Sequence, residues 1–149
     1  MKSVLNWTGA MKFEATSDDK TVAMDAKAPI GAGSAQTPKE LVLAGLGGCT
    51  AMDVVALLKK HKQQLDSLEI AVEVETSKSG QPSVFTHALI SFNATGRIEP
   101  KILLESVQLS QTKYCGVSAM LSRAFPIEYV VNLNGEELGR GKAKFEHGI

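Results

Sequence analysis

The sequence predicts an α+β fold, a mainly antiparallel sheet set against helices in the order βββ-α-ββ-αα-β. Three observations carry that expectation. Short, turn-punctuated segments fill the first quarter of the chain; a nearly continuous apolar stretch with helix-opening signals follows at residues 37–60; and residues 68–76 and 84–95 alternate apolar with polar side chains. Strands grouped before and after helices, rather than alternating with them one by one, mark the α+β class.

Residues 4–7, 12–16 and 21–25 read as three short strands, with Thr8-Gly9 and Ser17-Asp18-Asp19 as the turns between them, which makes a meander. Residues 26–36, AKAPIGAGSAQ, lack periodicity and form a loop. Gly31 and Gly33 do not make it a phosphate site, because neither GxxxxGK[ST] nor GxGxxG is present.

Thr37, Pro38 and Glu40 spell a helix start: a capping threonine, a proline whose missing N–H is no loss at the first position, and a glutamate that closes a capping box. The following residues 41–58 carry one charge, Asp53, and are apolar on every face, so the helix is expected to be surrounded by protein. Its length would suit a membrane span. Gly45, Gly47 and Gly48 weaken a lone helix, however, and Asp53 near its centre would be costly in lipid, so no membrane role is expected. The small residues Ala44, Gly45, Gly48 and Ala51 predict close backbone approach by another element. A single sheet cannot enclose such a helix, so two copies are expected to pack these helices together as a homodimer.

Lys59, Lys60, His61 and Lys62 close the helix where its dipole favours cations, and His61 is expected in solvent. In the next strand Leu68, Ile70, Val72 and Val74 alternate with polar neighbours; in the one after it Val84, Ala88, Ile90 and Phe92 share a face, with His87 on the other. Pro100 opens a second, amphipathic helix to about residue 113. A break holds Cys115, a short third helix follows, and residues 127–133 form a final strand ending at an Asn134-Gly135 hairpin turn. The tail from Gly139 pairs briefly or not at all.

At 149 residues the chain suits one domain, 1–149, and its formal charge of zero gives no electrostatic reason to expect nucleic acid or an anionic membrane surface. The first ten residues lack the apolar run of a signal peptide, so a cytoplasmic location is expected. Two cysteines in a reducing compartment do not predict a permanent bridge. They are buried bystanders, metal ligands or a redox pair. Metal is the weakest of these readings, because Cys49 and Cys115 are far apart and His61, His87 and His147 stand alone; no metal and no cofactor is expected. Locally, Cys49 lies deep in its helix with Asp53 one turn on, which disfavours a thiolate. Cys115 is the better placed on local grounds, beside the start of a short helix, near Lys113 and followed by Gly116.

The stretch TPKELVLAGLGGCTAMDVV around Cys49, with the later KYCGVSAML around Cys115, resembles the OsmC/Ohr family of osmotically inducible and organic-hydroperoxide-resistance proteins. The resemblance implies an intertwined homodimer whose two long central helices are wrapped by sheets containing strands of both chains. It also implies a cysteine-based peroxidase that reduces organic hydroperoxides in preference to hydrogen peroxide, without metal or bound cofactor. On this reading Cys49 attacks the peroxide and becomes a sulfenic acid, Cys115 resolves it to a disulfide, and a dithiol, often lipoyl-based, reduces the pair again. Family members carry a glutamate directly after the helix-opening proline and an arginine in the N-terminal strands. Here Lys39 follows Pro38, Glu40 comes one residue later, and residues 1–96 contain no arginine. Lys39, and Lys12 from the partner chain, are the expected stand-ins, though a lysine offers no bidentate fork. The alternatives are an OsmC-like protein that binds a small hydrophobic ligand or senses oxidants, and a structural dimer with inert thiols.

Overall fold

The segments that alternate apolar and polar side chains become paired strands in the computed structural model, which describes residues 1–146. The elements run β1 (Val4–Gly9), β2 (Lys12–Ser17), β3 (Lys20–Met24), α1 (Pro38–Lys60), β4 (Gln64–Thr76), β5 (Phe85–Arg97), α2 (Pro100–Leu109), a π-helical turn (Ser110–Tyr114), α3 (Gly116–Leu121), β6 (Ile127–Leu133) and β7 (Glu136–Lys142). This is the expected α+β order with one further strand. Strand β7 forms because Asn134 (φ 50°) and Gly135 (φ 85°) both take left-handed backbone, the conformation of a two-residue hairpin turn whose twist matches its strands.

Two compact units divide the chain at α1: Met1–Ala44, and the remainder from Gly45. In the first, β1, β2 and β3 pair as an antiparallel meander. The loop after it is anchored by Asp25, only 2% exposed, which accepts hydrogen bonds from the backbone of Ala26 (2.8 Å) and from the backbone and hydroxyl of Ser34 (3.0 and 2.8 Å). The Ser34 bonds, the backbone one foremost, hold the Asp25 carboxyl below its usual pKa. Gly31 is required there, since a Cβ would lie 2.3 Å from the Ala26 carbonyl oxygen. The predicted capping box is present: Thr37 N–H donates to Glu40 Oε2 (2.8 Å) and Glu40 N–H to Thr37 Oγ1 (3.3 Å).

The second unit is built on a four-stranded sheet in the order β4-β5-β6-β7. Only the β5–β6 pair is parallel, because α2 and α3 carry the chain from one strand to the other, whereas β4–β5 and β6–β7 are antiparallel. The even-numbered residues Ala88, Ile90, Phe92 and Ala94 of β5 are all buried, as their alternation predicts. They join Leu46, Val54 and Leu58 of α1, Leu103 and Val107 of α2, and Ile127, Tyr129 and Val131 of β6 in one core. Phe92 and Tyr129 meet edge to face with centroids 6.4 Å apart.

Helix α1 is covered on one side within one chain, in keeping with the expectation that a single sheet cannot enclose it. Within one chain its buried residues are Leu46, Gly47, Thr50, Val54 and Leu58, while Met52 is 74% exposed. The reason is geometric: one sheet covers one side of a helix. Within one chain close approach falls at Gly47, where a Cβ would stand 3.2 Å from Val72 Cγ2, while at Gly45 or Gly48 it would meet nothing within 4 Å among the described residues. By length and composition α1 could cross a membrane, but its five buried residues pack it within the protein. The second helix is α-helical to Leu109 and continues directly into the π-helical turn to Tyr114, close to the expected end, with the Cys115 N–H bonded back to the Ser110 carbonyl (3.0 Å).

Candidate functional site

Three segments of the second unit converge. Helix α1 presents Cys49, Thr50 and Asp53; positions 49 and 53, one turn apart, share a face. The π-turn presents Ser110 and Gln111, and Cys115 is the N-cap of α3, its Sγ accepting the Ser118 N–H at 3.3 Å. Cys49 Sγ, Cys115 Sγ and a carboxylate oxygen of Asp53 all lie within 4.8 Å of one another. Cys49 and Asp53 are half-buried, and Cys115 is fully buried.

Beneath the thiols runs a line of hydrogen bonds whose direction is fixed by its ends. The Gln111 amide Nε2 donates to Thr50 Oγ1 (2.8 Å), Thr50 and Ser110 share a bond of 2.7 Å, and Ser110 Oγ donates to Asp53 Oδ2 (2.9 Å). An amide N–H can only donate, and the Ser110 proton is committed to Asp53, so Thr50 is the donor to Ser110. Every donor in the line therefore points towards Asp53. Gln111 is fully buried, and among the described residues its Oε1 has no hydrogen-bond partner.

The expectation that Cys115 is the more acidic thiol is corrected by its burial. Loss of solvent pushes the Cys115 thiol up to about 11; the Ser118 groups at the start of α3 pull the other way, and contact with Cys49 adds to the rise. A six-residue helix start and a nearby lysine do not outweigh removal from water.

Of the residues singled out by sequence, Cys49 and Cys115 are brought together. Lys12, Lys39 and Glu40 belong to the first unit. There Glu40 is already engaged: Lys27 Nζ lies 2.7 Å from Oε1 while Oε2 takes the Thr37 N–H, and the Lys27 and Thr37 bonds pull its pKa down to about 2. Lys12 helps to hold Asp25 ionised, and Lys39 is exposed. His87 sits 3.4 Å from Glu128, which forms a lateral ion pair of the sheet with Lys142 at 2.8 Å. His61 is exposed as expected, and His147 lies outside the described residues. Sequence reasoning missed Thr50, Ser110 and Gln111 as members of the site. The available signal was polar residues at positions of α1 and of the segment after α2 whose neighbours in the pattern are apolar.

A profile of the family described as OsmC-like protein matches residues 31–130. Protein YhfA of Escherichia coli is 38% identical over 96 residues, which span 64% of this chain and 71% of that protein. Among solved structures, an OsmC-like protein from Mycoplasma pneumoniae superposes with a TM-score of 0.73 at 16% identity, covering 89% of this chain and 94% of the other. An organic hydroperoxide resistance protein from Elizabethkingia anophelis, with thiocyanate bound, superposes with a TM-score of 0.64 at 15% identity over 90% and 97% of the two chains. At these identities the two solved structures speak for the fold alone.

Proposed function

We propose that this chain, which belongs to the OsmC-like protein family, is a thiol-dependent peroxidase that reduces organic hydroperoxides through Cys49 and Cys115. The observation that carries the reading is the placement of both cysteine sulfurs within 4.8 Å of each other from positions far apart in the chain, one half-exposed and one buried. A disulfide bond of about 2.05 Å then requires the two side chains to close the remaining gap.

In the proposed cycle the Cys49 thiolate attacks the distal oxygen of ROOH. The O–O bond breaks, Cys49 becomes a sulfenic acid, and RO⁻ leaves to take up a proton as ROH. Cys115, which burial keeps protonated, then displaces hydroxide from the Cys49 sulfur. That step forms the disulfide and releases water, with the Cys115 proton accounting for the balance. A dithiol, lipoyl-type in this reading, reduces the disulfide by exchange and leaves as its own disulfide. The half-exposed position suits Cys49 to meeting peroxide, and the buried one suits Cys115 to resolving.

The working unit in this reading is a homodimer of one OsmC-like domain per chain, 1–149, in the cytoplasm. Support comes from the apolar surface that a single chain leaves open: Met52 on α1 (74% exposed) and Trp7 on β1 (66%). Positive charge for the peroxide is assigned to Lys39 and to Lys12 from the partner chain; Glu40, tied to Lys27 and Thr37, serves as the helix cap. A second reading, an OsmC-like oxidant sensor or hydrophobic-ligand protein, is favoured by the absence of arginine from residues 1–96. Exposing reduced protein to one equivalent of cumene hydroperoxide and following its mass separates them: rapid loss of two hydrogens with turnover by a dithiol supports the peroxidase, and oxidation without turnover the sensor.

A further inference from the structure

We propose that Cys49, Asp53 and Cys115 form a binding site for one thiophilic divalent cation of the Zn²⁺ class. Their ligand atoms already lie within 4.8 Å of one another. Bonds of about 2.3 Å to sulfur and about 2.0–2.2 Å to a carboxylate oxygen put tetrahedral ligands somewhat under 4 Å apart, so binding draws the three groups together without rebuilding the fold. Two sulfurs and one carboxylate suit a borderline-soft ion, and hard cations such as Mg²⁺ or Ca²⁺ prefer all-oxygen shells. The fourth position is left to water or an exogenous ligand.

The sequence concealed this site because ligand spacing is diagnostic only when ligands are close in the chain. Cys49 and Asp53 in fact supply a helical i,i+4 pair, the spacing by which two ligands share one face of a helix, and the fold brings the third from the N-cap of α3. The line of donors from Gln111 through Thr50 and Ser110 then acquires a purpose beyond packing. It fixes Oδ2 of Asp53 and so orients the carboxylate, as hydrogen bonds behind a metal ligand do. Cys49 and Asp53 are half-buried, which leaves an entry route.

Binding is a substitution of protons by metal: the two thiols release two protons to solvent as both sulfurs coordinate, with no change in oxidation state. The metal and a Cys49–Cys115 disulfide need the same two sulfurs and so exclude each other. An occupied site would hold the pair reduced and unreactive until the ion is withdrawn.

The test uses the full chain, reduced and without peroxide, so that its outcome is independent of the peroxidase reading. Titration with Zn²⁺ against a chromophoric chelator, and with Co²⁺ followed by its sulfur-to-metal charge-transfer absorption, should give one ion per chain. Cys49→Ser or Cys115→Ser should remove the charge-transfer band, Ser110→Ala should weaken binding roughly 10-fold, and Asp53→Asn should weaken it more. Alkylation of the half-exposed Cys49 in native wild-type protein, or oxidation of the pair by diamide, should abolish binding, a readout that does not depend on any variant folding. Binding too weak to compete with the chelator, or a bound ion indifferent to alkylation and to all three ligand substitutions, would overturn the assignment.

Discussion

Ser110 and Asp53, 57 residues apart, are joined by a hydrogen bond of 2.9 Å that links the end of α2 to the middle of α1 directly beside the two thiols. The bond also terminates the donor line that begins at the buried Gln111 amide. Replacing Ser110 by alanine would leave the buried Thr50 hydroxyl without its acceptor and Asp53 without its donor. A loss of about 1–3 kcal/mol in unfolding free energy is expected from chemical denaturation, the range for stranding buried polar groups; an unchanged midpoint would show that the line carries no such load.

Gly47 and Met52 test opposite sides of α1. A valine at position 47 would be forced onto Val72, already 3.2 Å from where a Cβ would stand, and Gly47→Val should cost about 1–3 kcal/mol of stability. Met52 touches solvent in the single chain, so Met52→Lys should instead shift the mass seen by light scattering from two chains towards one. A wild-type chain that is monomeric at every concentration would remove the dimer.

Glu40 makes stability depend on pH in acid. Its carboxyl is lowered from 4.5 to about 2 by Lys27 and Thr37, so the folded state binds that proton less readily than the unfolded state. The stabilisation is therefore complete above pH 4.5 and fades as pH falls towards about 2. Wild type and Glu40→Gln should differ in melting temperature near neutrality and converge across that interval. A constant difference over the same range would mean that the carboxylate charge contributes nothing.

Cys115 should resist modification in the native state. It is fully buried and its thiol is pushed up to about 11, whereas Cys49 is half-exposed. Brief treatment with iodoacetamide at neutral pH followed by peptide mapping should label Cys49 first, with Cys115 following only after unfolding. Labelling of Cys115 ahead of Cys49 would contradict the burial order.

The strands were legible because their alternation is local, and the capping box of Thr37 and Glu40 was legible because both partners lie within one turn. For α1, eighteen residues with one charge showed that one sheet could not enclose it, but a run apolar on every face did not show that the sheet would take the side of Leu46, Gly47, Thr50, Val54 and Leu58. At Cys115 sequence weighed helix start and lysine, both visible nearby, but could not weigh burial by segments distant in the chain. Ser110 and Gln111 escaped notice for a related reason: they lie on the π-turn, whose hydrogen bonds are shifted by one residue, Cys115 N–H to Ser110 among them. Family resemblance supplied the pairing of Cys49 with Cys115, and the structure added Asp53 and the donors behind it.

The most direct test of the central claim is intact-mass analysis of reduced protein after one equivalent of cumene hydroperoxide, beside one equivalent of hydrogen peroxide. The account predicts rapid loss of two hydrogens with the organic peroxide, a slower reaction with hydrogen peroxide, no reaction in Cys49→Ser, and a product one oxygen heavier in Cys115→Ser. Thiols that stay reduced in the wild-type chain, or oxidation of Cys115 that survives Cys49→Ser, would contradict it.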